Sequence, residues 1–227
     1  MKLIGMLDSP YVRRVAIALN HYDLPFEHVP LSVFRNVEEF SQINPLIKAP
    51  TLVCDNSEVL MDSTLILAYI QKLVDQQSAS QPRTLMPTEL EDYQQALRLI
   101  GLGLNACDKS VQLFYERNMR PEEKQYEPWL VRVQSQLLAA YQQIEAYAQS
   151  KTARSKSDGW LVANQLTHAD IAVCVAWQFT HHMIPGVVPI DSCPALLKLS
   201  AKAEAEVAFA SAPLGLGWMP KLPLSQR

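Results

Sequence analysis

A hydroxyl stands where an anion could be held. Ser9-Pro10-Tyr11 sits inside Leu7-Asp8-Ser9-Pro10-Tyr11-Val12-Arg13-Arg14-Val15, between a short apolar run and a helical repeat. Lys2 to Leu7 is mostly apolar and the length of a buried strand, whereas Val12, Val15, Ala16 and Leu19 recur at helical spacing. Ser9 is then an N-cap, and Pro10 takes the first helical position, where a missing amide proton costs nothing. The unpaired amides of that turn, together with the helix dipole, stabilise a negative group held beside the hydroxyl. A thiolate is one such group. Serine in this place is also an ordinary helix cap, and the motif by itself leaves both readings open.

Two further sites have the same character. Asp62-Ser63-Thr64 opens a helical repeat at Leu65, Ala68, Tyr69 and Leu73, so Ser63 offers a hydroxyl beside free helix-terminal amides. Lys48-Ala49-Pro50 precedes a strand-like run and adds a cation and an X-Pro bond. Thr167 and Asp170, three apart ahead of the apolar run Ile171 to Trp177, form a capping box, which is a folding feature rather than chemistry. His181-His182 are adjacent on a helix and point in different directions, with no cysteine or carboxylate partner nearby in sequence, so no metal is expected.

The elements that must position these residues follow from periodicity and punctuation. Strands are expected at Lys2–Leu7, Phe26–Leu31, Thr51–Cys54 and Val59–Met61, with helices after Ser9, around Asn36–Ile43 and over Leu65–Val74. The order is βαβα followed by ββα. Asp75 to Pro87 is rich in Gln, Ser and Pro, without periodicity, and reads as a linker. Beyond it, helical patterns run through Glu89–Arg117 and Glu122–Gln149, and the helix begun at Thr167 is apolar nearly all round, as a buried central helix would be. Gly101 and Gly103 fall inside the first of these, where each costs about 1 kcal/mol relative to alanine; close helix–helix contact is the preferred explanation. The expected architecture is α/β plus all-α: a domain over 1–76, a linker over 77–87, and a helical domain over 88–227.

Composition sets the outer limits. The 227 residues are 48% hydrophobic, enough to bury a real core. Lys and Arg total 20 against 23 Asp and Glu, with no basic block to track a phosphate backbone, so no nucleic-acid partner is expected. Cys54, Cys107, Cys174 and Cys193 lie far apart and form no C-x-x-C pair, which suits reduced thiols in a cytoplasmic protein. Asp8 stops the N-terminal apolar run short of a signal-peptide core of about 7 residues, and no segment nears the roughly 20 needed to span a bilayer. No membrane association is expected.

Taken together, Ser9-Pro10-Tyr11, Lys48-Ala49-Pro50, Asp62-Ser63 and Thr167-x-x-Asp170 make the chain resemble the cytosolic glutathione transferase superfamily over nearly its whole length, in a serine-type, tau- or zeta-like pattern. The resemblance implies a thioredoxin-like βαβαββα domain followed by an all-helical one. It implies glutathione as substrate, bound by Lys48, Ala49, Pro50, Asp62 and Ser63, with a cis Ala49–Pro50 bond turning the Ala49 backbone toward the cysteinyl part. Ser9 would donate to the sulfur, favouring the nucleophilic thiolate. No cysteine stands at this position, which counts against the thiol-transferase branch. A second-substrate pocket would draw on Tyr11, Asn105, Asp108 and Tyr115, with Gly215 to Pro220 as a tail. The implied protein is a cytoplasmic detoxifying homodimer that conjugates glutathione to small apolar electrophiles; isomerisation, dehalogenation and a non-catalytic interaction module are the alternatives.

Overall fold

The computed structural model describes residues 1–77, 84–155 and 159–215. The expected linker and tail fall in part on 78–83 and 216 onward, outside the described residues. The chain divides into two compact units, one made of residues 1–85 with 204–215, the other of Met86–Ala203.

In the first unit, β1 (Lys2–Ile4), β2 (Glu27–Val29), β3 (Thr51–Val53) and β4 (Val59–Met61) form one mixed sheet in the order β2-β1-β3-β4. β1 pairs parallel with β2 and antiparallel with β3, and β3 pairs antiparallel with β4. The parallel pair requires a crossover, which α1 (Pro10–His21) supplies. α2 (Val37–Ile43) follows β2, and α3 (Ser63–Gln77) follows the β3–β4 hairpin. Ile4, Leu31 and Phe40 centre one cluster of the core, with Val29, Ile43 and Ala49 packed on it. This is the thioredoxin-like domain anticipated from the sequence, with β1, β2 and β3 shorter than the runs suggested and β4 at its expected bounds.

Residues 204–215, which the sequence places in the helical domain, cluster with the first unit. α7 (Pro194–Glu204) ends there, and the short α8 (Val207–Ala210) packs on α1. The anchor is Arg13, whose side chain is fully buried. Its Nη1 and Nη2 donate to Glu204 Oε1 and Oε2 at 2.9 and 2.6 Å, and its Nε donates to the Ala212 carbonyl at 2.9 Å. Asn20 Nδ2 adds a bond to the Ala208 carbonyl at 3.2 Å. Removing the acid would leave a buried cation short of its partner. Glu204→Gln keeps one acceptor and is expected to lower stability by about 2 kcal/mol, measured by chemical denaturation, with early loss of the α8 amides in hydrogen exchange.

In the second unit, α4 (Leu90–Asn118) packs against α5 (Glu127–Ser155) and α6 (His168–Met183). The helix expected from Glu122 starts instead at Glu127; Glu122–Lys124 makes a single 3-10 turn. Pro128 explains the difference, since proline fits the first turn of a helix but breaks an interior. α6 is buried on every side from His168 to Trp177. Gly103 lies where a Cβ would meet the Ala172 backbone at 3.0 Å, so close α4–α6 contact accounts for that glycine; a Cβ at Gly101 would meet no neighbouring element within 4 Å, so helix contact does not account for it. Glu145, buried on α5, accepts from Ala195 N and Leu196 N at 2.9 Å each, satisfying amides of the first turn of α7.

Candidate active site

The three segments singled out by the sequence lie at one end of the sheet, beyond the carboxyl end of β1. Gly5 follows that strand at φ +133°, and a Cβ there would stand 2.6 Å from Val12 Cγ2 and 3.1 Å from Ala49 Cβ. Only glycine lets α1 and the Ala49 turn close on the strand end this tightly. Ser9 precedes α1 in extended conformation at φ −68° and ψ 122°. Its Oγ accepts from Val12 N at 3.4 Å, a long contact for a capping bond. The half-buried hydroxyl is thus only lightly engaged by its own helix.

Ala49–Pro50 is cis. Sheet pairing begins at Thr51, so the Ala49 backbone lies ahead of the ladder. A small polar network fixes the turn. Thr51 Oγ1 donates to the Lys48 carbonyl at 2.7 Å and accepts from Asn44 Nδ2 at 2.8 Å, and Asn44 Oδ1 accepts from Leu46 N at 3.0 Å. Lys48 is exposed.

At the start of α3, Asp62 adopts φ 72°, a left-handed conformation uncommon for a residue with a side chain. Its Oδ1 accepts from Thr64 N at 2.9 Å and Leu65 N at 3.4 Å, so one carboxylate oxygen caps the helix. Ser63 is buried, and its Oγ accepts from Arg14 Nη1 at 3.2 Å; the same nitrogen lies 3.4 Å from Thr64 Oγ1. With a lone pair occupied by Arg14, the Ser63 O–H is the part left to donate. A buried guanidinium thus joins α1 to the N-terminus of α3 and adds positive potential to a helix end that already favours an anion.

The sequence reading passed over Arg13, Arg14, Gly5 and Asn44. A signal existed for the arginines: α1 carries apolar side chains round most of its circumference, leaving little polar face for two cations to occupy.

Of the second-substrate residues, Tyr11 is half-buried in the first turn of α1. Asn105, Asp108 and Tyr115 belong to α4, where their spacing puts them on one face; Asn105 and Asp108 are exposed, and Tyr115 is 40% exposed with its ring edge-on to Phe114 at 6.2 Å. All four cysteines are free and buried, with Cys54 just past β3. His181 Nδ1 lies 2.9 Å from the Trp177 carbonyl, and its ring lies against the Trp177 ring at 4.0 Å. Among the described residues, no helix is long and apolar enough to cross a membrane.

A thioredoxin-like unit followed in one chain by an all-helical unit is the architecture expected from the sequence. Comparison with known proteins agrees. Residues 3–78 match the family model for the glutathione S-transferase N-terminal domain. The chain is 27% identical over 176 residues to YibF, an uncharacterised glutathione S-transferase-like protein of Escherichia coli K12, covering 78% of this chain and 80% of that one. It is 24% identical over 226 residues to maleylacetoacetate isomerase of Pseudomonas aeruginosa, covering 93% and 95%. A glutathione S-transferase of Methylobacterium radiotolerans, solved in complex with glutathione sulfonate, superposes with a TM-score of 0.79 at 27% identity, covering 97% and 98%. Residues 3–78 thus carry the glutathione S-transferase N-terminal domain, and the chain as a whole is similar to glutathione S-transferases.

Proposed function

We propose that this protein is a serine-type glutathione transferase that adds the glutathione thiolate to small apolar electrophiles. The observation that carries the reading is the meeting of Ser9, the Ala49–Pro50 turn and the Arg14–Ser63 pair around the end of β1. In this reading the cysteinyl backbone pairs with Ala49, ahead of the sheet ladder, with Pro50 holding the turn. The γ-glutamyl carboxylate takes the Ser63 hydroxyl and the free amides of α3. Asp62 caps through Oδ1 and meets the ammonium through Oδ2, and Lys48 reaches the glycyl end. Ser9 donates to the sulfur, helped by the first-turn amides of α1. Lowering a thiol pKa near 8.5 by about two units would make thiolate dominant at neutral pH, an effect of roughly 2.7 kcal/mol.

Tyr11, Asn105, Asp108 and Tyr115 remain the proposed contacts to the second substrate. A homodimer is supported by exposed Leu90, Tyr93 and Leu97, which recur along one face of α4. The decisive experiment is capture on immobilised glutathione followed by a conjugation assay on native protein and on Ser9→Ala. Retention with no turnover across a broad electrophile panel would favour the non-catalytic module instead.

Ser63→Ala separates binding from chemistry. Losing one hydrogen bond to a charged group should raise the glutathione Kd about tenfold, while kcat at saturating glutathione changes less than about twofold. Calorimetric titration and steady-state kinetics measure the two effects. A kcat loss with unchanged Kd would move Ser63 out of the carboxylate site.

A second reading is glutathione-dependent isomerisation, favoured by the likeness to maleylacetoacetate isomerase along almost the entire chain. Both reactions begin with the same thiolate. They differ in outcome, because an isomerase returns glutathione after each turnover and a conjugating enzyme consumes it mole for mole.

A further inference from the structure

The β1–β2 ladder stops one rung short. Glu27 N donates to the Met1 carbonyl and Gly5 N to the Val29 carbonyl, each at 3.0 Å, and the even spacing of a parallel pair would next bring Leu31 N to the Gly5 carbonyl. Leu31 N instead turns back across Pro30 to the Val29 carbonyl at 2.9 Å. Gly5 is buried, and a buried carbonyl needs a donor. His28 supplies it. From the middle of β2 its Nε2 lies 2.8 Å from that oxygen, and because a carbonyl only accepts, Nε2 carries the proton.

The peptide that His28 holds leads directly to Ser9. Met6 follows Gly5, and the Met6 carbonyl accepts from Ser9 N at 3.1 Å, so the orientation of the Gly5–Met6 peptide sets the turn on which the serine sits. Glycine leaves that peptide free to rotate once its carbonyl is released. The helix that follows restrains the hydroxyl little, since Ser9 Oγ stands 3.4 Å from Val12 N, beyond the usual range for such a bond. The position of the oxygen is therefore decided by the turn before it. A hydroxyl that drifts or tilts there loses its hold on a sulfur anion, because hydrogen bonds weaken steeply with angle.

We propose that His28 is a positioning residue for the transferase chemistry, a role that rests on Ser9 donating to the thiolate: the bond from His28 to the Gly5 carbonyl aims the Ser9 hydroxyl at the glutathione sulfur. In this role His28 acts through the turn over 5–9 and touches neither substrate.

The ultraviolet absorbance of bound thiolate, titrated against pH on the full-length chain with saturating glutathione, tests this. His28→Leu should raise the bound thiol pKa by about one unit and lower the conjugation rate at pH 7 about threefold, the fall in thiolate fraction, with the glutathione Kd within about twofold. His28→Gln puts an amide N–H where the imidazole Nε2 stood and should return both values to native. His28→Asn, whose amide is too short to reach Gly5, should behave as His28→Leu does and keeps a polar side chain should the leucine variant fold poorly. In a Ser9→Ala background the His28 substitutions should add no further shift, because they act only through the serine. An unchanged thiol pKa in His28→Leu and His28→Asn, an undiminished shift in the Ser9→Ala background, or a loss that His28→Gln does not restore would overturn the role of His28. If Ser9→Ala itself leaves the thiol pKa at its native value, the transferase reading falls and the role of His28 with it. That outcome is distinct from a shift in Ser9→Ala with none in the His28 variants, which removes His28 alone.

Discussion

Ser9→Ala is expected to lower the conjugation rate at pH 7 about 20-fold, the fall in thiolate fraction as the pKa returns toward 8.5, while leaving the glutathione Kd within about threefold. The size follows from the thiolate. If the hydroxyl and the neighbouring amides lower the bound thiol pKa by about two units, removing the hydroxyl returns most of that shift, and each unit is about 1.36 kcal/mol. The binding contacts assigned to Ala49, Asp62 and Ser63 do not involve Ser9, so affinity is largely retained. The fold should barely respond, because the Oγ to Val12 N contact is 3.4 Å long and a lost N-cap costs about 1 kcal/mol or less in such a case. Raising the pH supplies the distinguishing readout: the variant's rate climbs through the free-thiol range near 8.5, and the deficit shrinks above it. Equal rates for native and variant at pH 7 would remove Ser9 from its role, and the double variant Ser9→Ala, Tyr11→Phe would then show whether the neighbouring phenol takes its place.

The largest stability effect is expected at Asp170. Its Oδ1 accepts from Leu161 N at 2.8 Å, and its Oδ2 accepts from Thr167 N at 2.9 Å and from the Thr167 hydroxyl at 2.7 Å. Asp170→Ala leaves those three donors buried without an acceptor, each costing about 1–3 kcal/mol, partly offset by no longer burying a carboxylate. A net loss of about 3 kcal/mol at pH 7 is expected, a fall in Tm of roughly 6–12 °C by circular dichroism. The effect depends on pH. Burial pushes the Asp170 carboxyl up from the ordinary 3.8 to about 6, against the downward pull of its hydrogen bonds. Between those values the native state keeps a proton that the unfolded chain releases, so this group's contribution declines as pH rises and is fully reduced above about 6. The gap between native and Asp170→Ala should therefore be widest near pH 4 and narrow by up to about 3 kcal/mol on reaching pH 7. A gap that widens with rising pH would contradict the assigned direction.

Several features of this protein were written in short stretches of sequence, and these were read correctly because their physics is local. An N-cap followed by proline, a repeat at helical spacing, a Thr-x-x-Asp box and a two-strand alternation each involve groups within about four residues. They sufficed for the βαβαββα order, for the placing of Ser9 and Ser63 at helix starts, and for a buried α6. The start of α5 was missed by five residues because periodicity runs smoothly through Pro128, and only backbone geometry decides where the helix can begin.

What the sequence by itself determined, then, is which residues stand at the helix ends and which faces are apolar. Tertiary structure decided who meets whom. Arg13 and Glu204 are 191 residues apart, Arg14 and Ser63 are 49 apart, and no local pattern marks either pair. Arginine in a helix reads as surface until packing closes over it, because its charge is tolerable inside only when a distant partner arrives. The return of residues 204–215 to the first unit and the fit of Gly5 between Val12 and Ala49 are both products of that long-range closure.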